Sequence, residues 1–362
     1  MGGAERNRPP PAGAGSRMRP EAAFAPPRAH GLPLGEVSVR TEPEDFCVEE
    51  SLGFAPAGAG AHVLLQVRKR DANTVWVARE LAKLAGCRPS EVGYAGLKDR
   101  RAVAVQWFSA PRGRRAPEDW AGAHGEGFEV LAAHAHTRKL PRGALEGNRF
   151  RIRARGETPP EERLEERVRR IAERGVPSYF GPQRFGRGGA NLEREELDPR
   201  GLRPAERGFV LSAARSLMFN AVLAERVHEG RWAELEPGDR AMLEGRGSHF
   251  AVEACDATLR ERAARLELHP SGPLWGRGAL DSQGAVRELE ERVAGQHPQY
   301  CALLEAAGLR QERRSLRVAV RELSARVEPG AVLLEFRLAR GAYATAVLRE
   351  LFTLADYEES ST

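Results

Sequence analysis

Residues 93–109 read GYAGLKDRRAVAVQWFS, a cationic loop that runs directly into an alternating apolar segment. Apolar residues at every second position of AVAVQWFS predict a β-strand. The loop before the strand contains a single carboxylate, Asp99, with basic residues on both sides. Two glycines in the loop allow positive φ or a close approach of the backbone to a ligand. The stretch therefore predicts a functional loop on a rigid strand.

Asp99 is the first candidate catalytic residue. Neighbouring positive charge favours the ionised form of a carboxylate, so we expect Asp99 to be ionised at neutral pH. An ionised carboxylate suits a base or a nucleophile better than a general acid. The alternative is a surface turn in which adjacent arginines hold a structural aspartate, and the loop alone leaves both open.

Composition limits the class of protein. The chain has 362 residues, 41% hydrophobic and 30% charged, which is enough for two domains with separate cores. No stretch reaches the roughly 18 apolar residues of a membrane helix, and the N-terminus lacks the apolar region of a secretory signal. We therefore expect a cytoplasmic protein without membrane contact. The formal net charge of +5 suits a polyanionic partner without requiring one.

Metal and nucleotide cofactors are not predicted. The four cysteines, at positions 47, 87, 255 and 301, are far apart and form no metal-binding or disulfide pattern. His134 and His136 lack a third ligand nearby and read as strand residues. Neither the loop at 93–98 nor GRGGAN at 186–191 fits a phosphate-loop or dinucleotide pattern.

Only four of the 56 basic residues are lysines, at positions 69, 83, 98 and 139. Lys98 stands beside Asp99 in a chain that otherwise uses arginine almost everywhere. This choice indicates that a compact ammonium is preferred there over a planar guanidinium.

Strands and helices alternate from Glu36 onward. Asn73 and Gly86 cap a predicted helix over 73–85, and prolines and Gly175 bound another over 159–175. Strands are predicted for EVSVRT, DFCVEE, HVLLQVRKR, AVAVQWFS and RFRIRAR, the last at 149–155. One face of RFRIRAR must be cationic, and it is either solvated or a track for phosphates.

A change of pattern marks the domain organisation. Residues 1–30 read as a disordered basic tail, and the Gly-rich, aromatic stretch GVPSYFGPQRFGRGGAN breaks the alternation. The segment LLEFRLARGAYATAVLRELF then returns to a strand, a turn and a helix. We expect a first domain at 31–180, an inserted domain at 181–325 and a return segment at 326–362.

Six segments in order resemble the tRNA pseudouridine synthase D family, and together they span nearly the whole chain after residue 30. They are PEDFCVEE at 43–50, AGLKDRRAVAVQW at 95–107, GNRF at 147–150, YFGPQRFG at 179–186, LSAARS at 211–216 and GAYATAVLRE at 341–350. Ser178 departs from the family pattern, which commonly has Asn before YFG.

The resemblance implies an α+β fold, in which a catalytic domain with a mixed, largely antiparallel sheet contains an inserted α/β domain. It also implies isomerisation of a uridine of transfer RNA to pseudouridine, typically at position 13 in the D arm, without metal or redox cofactor. We expect the protein to be a monomer. The inserted domain is expected to close against the catalytic sheet and form a cleft for RNA.

Matched singly, Asp99 corresponds to the catalytic aspartate of the family. Phe150 corresponds to the aromatic residue that stacks on the target base, Asn148 to a polar partner and Arg40 to a basic active-site residue. Without the resemblance, Phe150 would read as a core aromatic beside Ile152. Further candidates for RNA contact are Lys98, Gln183, Arg184, Phe185 and Arg187.

Two other hypotheses are weighed against the enzyme. A catalytically inert RNA-binding protein would use the same basic surface, but such a relative is expected to have lost the acid that Asp99 retains. A DNA-binding regulator is less favoured because no recognition-helix motif or dimer element is evident.

Overall fold

The computed structural model describes residues 26–113, 116–186, 189–192 and 203–355. The predicted disordered tail at 1–30 thus lies outside the described residues except for its last five, which are packed in place. Pro26 is buried, and His30 is only 5% exposed. Among the described helices, none has the length and apolar character needed to cross a membrane.

Strands and short bridges run along the whole described chain. In order they are β1 (Glu36–Ser38), β2 (Phe46–Ser51), β3 (His62–Arg70), β4 (Gly93–Tyr94), β5 (Val103–Pro111), β6 (His124–Gly125), β7 (Phe128–His136), β8 (Gly147–Gly156), β9 (Val176–Pro177), β10 (Arg240–Leu243), β11 (His249–Ala251), β12 (Leu268–His269), β13 (Ser271–Leu274), β14 (Glu312–Ser315), β15 (Arg317–Val318), β16 (Arg321–Glu328), β17 (Ala331–Ala339) and β18 (Thr353–Leu354). The helices are α1 (Thr74–Ala85), α2 (Glu161–Arg174), α3 (Pro204–His228), α4 (Ala257–Ala264), α5 (Gly284–Gln296), α6 (Pro298–Ala306) and α7 (Ala344–Leu351).

One large sheet has the strand order β16-β17-β8-β2-β5-β3-β7-β6, with β1, β4 and β18 attached beside this path. Within the described chain, β2 pairs with β5 and β1 with β18 in parallel, and the other pairs are antiparallel. The predicted α+β class with a mixed, largely antiparallel sheet is confirmed.

Three helices cover one face of this sheet. The register places Val48 beside Ala104 and Ala104 opposite Lys69, so these residues share a face. Helices α2 and α7 pack on this face around Phe150 and Phe336, and α1 packs beside them on β3. The opposite face carries the arginines of β8.

Local sequence explains where the helices end. Asn73 accepts a hydrogen bond from the backbone N of Val75 at 2.8 Å, and Gly86 closes α1 with φ of 65°. Leu164 and Ile171 of α2 are buried, and the helix ends before Gly175. Both predicted helices are confirmed to within two residues at each end.

A second group of elements follows Pro177. Strands β10, β11 and β12 form a three-stranded sheet, β13 pairs with β14, and β9 pairs with β15. Helix α3 packs its Phe219 and Leu223 against Trp232 and Leu316 in a separate core. The chain rejoins the large sheet at β16, which begins at Arg321, a few residues before the predicted return at 326.

Candidate active site

Asp99 lies in the loop between β4 and β5, and its carboxylate is half exposed. Arg40, which follows β1, donates from Nη2 to Asp99 Oδ2 at 2.7 Å. The Arg40 side chain is only 12% exposed, and its guanidinium carbon lies 4.5 Å from the ring centroid of Phe46. Asp99 and Arg40, each predicted singly from sequence, are therefore brought together, and the Asp99 side chain stays half exposed to solvent.

Three buried side chains fix the backbone of this loop. Lys69 Nζ donates to the carbonyl oxygens of Asp99 and Ala72, both at 2.7 Å. Thr74 Oγ1 accepts from the backbone N of Lys98 at 3.1 Å, and Gln106 Nε2 donates to Gly96 O at 2.7 Å. We call these three residues, Lys69, Thr74 and Gln106, the loop anchors. Their positions on β3, α1 and β5 hold Asp99 against the sheet.

Lys69 is fully buried and has neutral hydrogen-bond partners. Burial lowers the pKa of its ammonium to about 8, while the nearby charge of Asp99 acts to raise it. The loop is thus held by a cation whose charge is costly to bury.

Lys98 points away from the open side of Asp99. Its Nζ lies 2.5 Å from Glu50 Oε2, and both side chains are buried. Glu50 Oε1 also accepts from the backbone N of Trp107 at 3.3 Å. From its sequence position, Lys98 is expected to contact substrate. In the structure its charge is engaged by Glu50, a residue that sequence reasoning missed because the two lie far apart in sequence.

Phe150 and Asn148 lie on the same face of β8, between β2 and β17. The Phe150 ring stacks on Phe336 at 5.3 Å between centroids and meets Phe46 edge-on at 6.0 Å. Asn148 is opposite Glu50, and its Oδ1 is buried without a hydrogen-bond partner among the described residues. Phe46 contacts both Phe150 and Arg40, so it connects the aromatic pair to Asp99.

Phe150 itself is 7% exposed and belongs to the sheet core. The core position inferred from alternation is therefore observed, and little of the residue is exposed. A base that stacks on Phe150 must use this small exposed part or displace a neighbour.

The predicted contact residues at 183–185 lie in a short 3₁₀ helix, Pro182–Phe185. Gln183 is exposed, and Arg184 donates to Ser212 Oγ at 3.1 Å and to Tyr343 Oη at 2.9 Å. Phe185 is fully buried against Leu192, Ala213 and Leu217. The expectation that Phe185 contacts RNA is thus corrected, because its ring is core. Arg187 lies outside the described residues.

The arginines of β8 do not face the site. Arg149, Arg151, Arg153 and Arg155 alternate with Phe150 and so lie on the opposite face of the sheet. Arg151 pairs with Glu335 at 3.4 Å, Arg153 with Glu328 at 2.8 Å and Arg155 with Asp45 at 2.8 Å. Of the two readings of this strand, the structure favours a solvated face with its own counter-charges over a phosphate track beside Asp99.

An open cleft of about 540 Å³ lies between the two groups of elements. Residues 143–145 and 339–342 form one wall, and residues 242–247 and 313–318 form the other. Arginines outnumber carboxylates in its lining, with Arg246, Arg313, Arg314, Arg317 and Arg340 against Glu244. The backbone N of Gly143 donates to Ala95 O at 2.7 Å, so one wall is joined directly to the loop that holds Asp99.

Comparison with known proteins shows the family of this chain. The family model described as tRNA pseudouridine synthase D matches residues 33–191 and 201–351. The curated tRNA pseudouridine synthase D of Nitrosococcus oceani is 46% identical over 326 residues, covering 88% of this chain and 91% of that protein. The chain belongs to the tRNA pseudouridine synthase D family.

Two further comparisons extend this result. The family member from Methylococcus capsulatus is 46% identical over 330 residues, covering 90% of this chain and 93% of that protein. A crystal structure of a putative tRNA pseudouridine synthase D from Methanosarcina mazei superposes with a TM-score of 0.71 at 21% identity, covering 92% of this chain and 97% of that one. The family resemblance and the fold class predicted from sequence are confirmed.

Proposed function

We propose that this protein converts uridine in tRNA to pseudouridine, and that Asp99 supplies the carboxylate for the reaction. One arrangement supports this proposal. A half-exposed Asp99, paired with Arg40 and held by the loop anchors, lies on a loop joined to the wall of an arginine-lined cleft. The names of the relatives in the same family support tRNA as the substrate.

The chemistry requires an ionised carboxylate. Pseudouridine formation breaks the bond between uracil N1 and ribose C1′, turns the base, and joins C5 to the same carbon. The atoms are conserved, so the reaction needs no redox partner. Asp99 would either add to C1′ or remove a ribose proton to give a glycal. Arg40 donates a hydrogen bond to the carboxylate and orients it for either route.

The target uridine must leave its stack before it can react, at a cost of a few kcal/mol. We propose that the exposed part of Phe150 receives the base, with Phe46 and Phe336 fixing the ring. Asn148 Oδ1, buried without a partner among the described residues, would accept a hydrogen bond from the uracil N–H.

Further assignments concern the modified position, the location, the oligomeric state and the insertion. We propose position 13 of the D arm as the modified site, a cytoplasmic location and a monomeric enzyme. We also propose that residues from about 178 to 320 are an insertion whose closure against the large sheet makes the RNA cleft, because the cleft is lined from both sides. The inert RNA-binding alternative receives no support from the comparisons.

The test uses purified protein and an unmodified tRNA transcript with tritium at uracil C5. Isomerisation releases this label to solvent, whereas binding does not. We expect release from the transcript and none from a matched transcript with cytidine at position 13. If no label is released from any tRNA, the proposed activity is wrong. Release from the cytidine-13 transcript would refute only the position.

A further inference from the structure

Two arginines that are distant in sequence meet around the same aromatic rings. Arg184 lies in the 3₁₀ helix Pro182–Phe185 and Arg314 in β14. Their guanidinium carbons lie 5.4 Å and 4.5 Å from the ring centroid of Phe180. Arg184 also donates to Tyr343 Oη at 2.9 Å, and the Arg314 carbon lies 6.0 Å from the Tyr343 centroid.

Among the described residues, no carboxylate neutralises either guanidinium. Arg314 Nη2 donates to Ser178 Oγ at 3.0 Å and to Gly341 O at 3.2 Å, and both acceptors are uncharged. Its Nε is buried and lacks a hydrogen-bond partner in the part of the chain that is described. The neighbouring Arg313 differs, since it pairs with Glu290 at 2.6 Å and with Asp281 at 3.1 Å. In the same described ranges, no carboxylate forms an ion pair with Arg184 or Arg314.

An arrangement of this kind is costly without an anion. Burial lowers the pKa of Arg314, and the positive charge of Arg184 acts in the same direction. Two like charges beside the same ring favour the binding of an anion, and a guanidinium presents paired N–H donors that match a phosphate. Aromatic faces stabilise each cation, but they do not supply a negative charge.

The pair is accessible from two sides. Arg184 and Tyr343 line a pocket of about 220 Å³ together with Phe209, which is 63% exposed. Arg314 lines the larger cleft described above. The two guanidiniums therefore lie between the pocket and the cleft, on the side formed by the second group of elements.

We propose that Arg184 and Arg314 together bind one phosphodiester of the RNA, at a subsite separate from Asp99. The proposal deepens the function given above and rests on it in taking RNA as the substrate. Ser178 contributes through its hydroxyl, which holds Arg314 Nη2 beneath the site.

The experiment is phosphate-ethylation interference with an unmodified tRNA transcript. Transcripts ethylated at random phosphates are partitioned by binding to wild type, Arg184→Gln and Arg314→Gln. We expect both variants to lose interference at the same phosphate or at two adjacent ones. Each variant should bind tRNA three- to tenfold more weakly at physiological salt, and the slope of log affinity against log salt should fall by about one.

Two control variants separate phosphate binding from local packing. Tyr343→Phe removes one of the two neutral acceptors of Arg184 and leaves both guanidiniums, so it should retain the wild-type interference pattern. Arg292→Gln removes an exposed arginine that already pairs with Glu225 at 3.3 Å, and it should also retain the pattern. If Arg314→Gln fails to fold, Arg184→Gln alone decides the result.

Three results would overturn the proposal: an unchanged interference pattern in Arg184→Gln, loss at phosphates far apart in the two arginine variants, or the same loss in Tyr343→Phe. Binding and interference are read without turnover. An absence of tritium release would therefore count against the proposed activity and leave the phosphate result readable. Full tritium release with unchanged interference would count against this subsite alone.

Discussion

At the scale of single residues, Asp71 provides a control for testing the catalytic role of Asp99. Asp71 is another carboxylate of the same region, paired with Arg100 at 3.5 Å, and its φ of 46° is one that asparagine tolerates. We expect Asp99→Asn to lower the single-turnover rate on tRNA by at least about a thousandfold. Fold and tRNA affinity should be retained, because an acid makes no phosphate contact.

Asp71→Asn should stay within about twofold of wild type, as expected for an exposed position. Rapid-quench tritium release at saturating protein measures both variants. An Asp99→Asn protein that keeps a tenth of the wild-type rate would show that Asp99 is not the catalytic group.

Phe150 should act on the rate and not on general affinity. Phe150→Leu keeps apolar volume but loses the flat ring, and we expect the rate at saturating tRNA to fall roughly five- to a hundredfold. Binding and its salt dependence should be unchanged, because phosphate contacts are intact. Phe108→Leu removes another fully buried ring and should leave the rate unaffected. Equal losses of affinity and rate in Phe150→Leu would assign the ring to general RNA binding.

Lys69 should make stability depend on alkaline pH. Its pKa is about 8 in the folded protein and 10.5 in the unfolded chain, so the unfolded state holds one more proton between these values. The component of stability that depends on Lys69 is therefore fully present above pH 10.5 and is lost as pH falls to about 8. The free energy of unfolding of wild type, relative to Lys69→Met, should rise by roughly 3 kcal/mol over this range. Chemical denaturation measures the unfolding free energy of both proteins at each pH. If wild type and Lys69→Met show the same pH dependence, the prediction is wrong.

At the scale of elements, the start of α1 has two separable roles. Asn73 caps the helix, whereas Thr74 accepts the hydrogen bond from the backbone N of Lys98. Asn73→Ala should cost about 1 kcal/mol of stability and leave the rate at saturating tRNA unchanged. Thr74→Val should lower that rate about ten- to a hundredfold, because the loop with Asp99 loses an anchor. Equal effects of the two variants on the rate would show that the loop does not depend on this anchor.

Elements whose signals are local could be predicted from sequence. Asn73 and Gly86 are adjacent to the helix they bound, and the alternation in β5 and β8 needs no distant partner. Features that depend on contacts between distant segments could not be predicted. The sequence does not show that Glu50 receives Lys98 or that Phe185 faces Leu217.

The site was predicted in part for the same reason. The family motifs contain Asp99, Asn148 and Phe150, and Arg40 lies just before one of them. The structure brings these residues together on one side of the sheet. The anchors Lys69 and Gln106 lie inside ordinary strands. Their role depends on hydrogen bonds to a loop that is distant or separate in sequence, which the strand pattern does not reveal. A lysine at an inward position of β3 was the one available signal, in a chain with so few lysines.

At the scale of the whole molecule, the segment before β1 connects both groups of elements. His30 contacts Gly175 O at 2.8 Å, and its ring meets Trp232 edge-on at 5.8 Å. The backbone N of His30 donates to the buried Glu350. Burial lowers the pKa of His30 to about 4, so this imidazole is neutral in the folded protein.

This burial predicts an acid-sensitive fold. Between pH 6.5 and about 4 the unfolded chain binds a proton at His30 that the folded protein excludes, so stability is present above pH 6.5 and is lost as pH falls. The loss should reach roughly 3 kcal/mol in wild type. His30→Gln can still donate to Gly175 O and should lack this component, whereas the exposed His124→Gln should retain it. Urea unfolding across this pH range measures all three, and a wild-type decrease shared by His30→Gln would assign it elsewhere.

The position of β17 determines how late in synthesis the site around Phe150 is completed. Phe150 on β8 is covered by Phe336 on β17, and the ribosome reaches β17 only after making everything from β9 to β16. A nascent chain can pair β2, β3, β5 and β8, since domains begin to fold as they emerge. It still lacks one wall of the pocket that we propose for the flipped base. Ribosome-bound chains that end before β17 therefore cannot hold a flipped uridine, and modification waits for the rest of the protein.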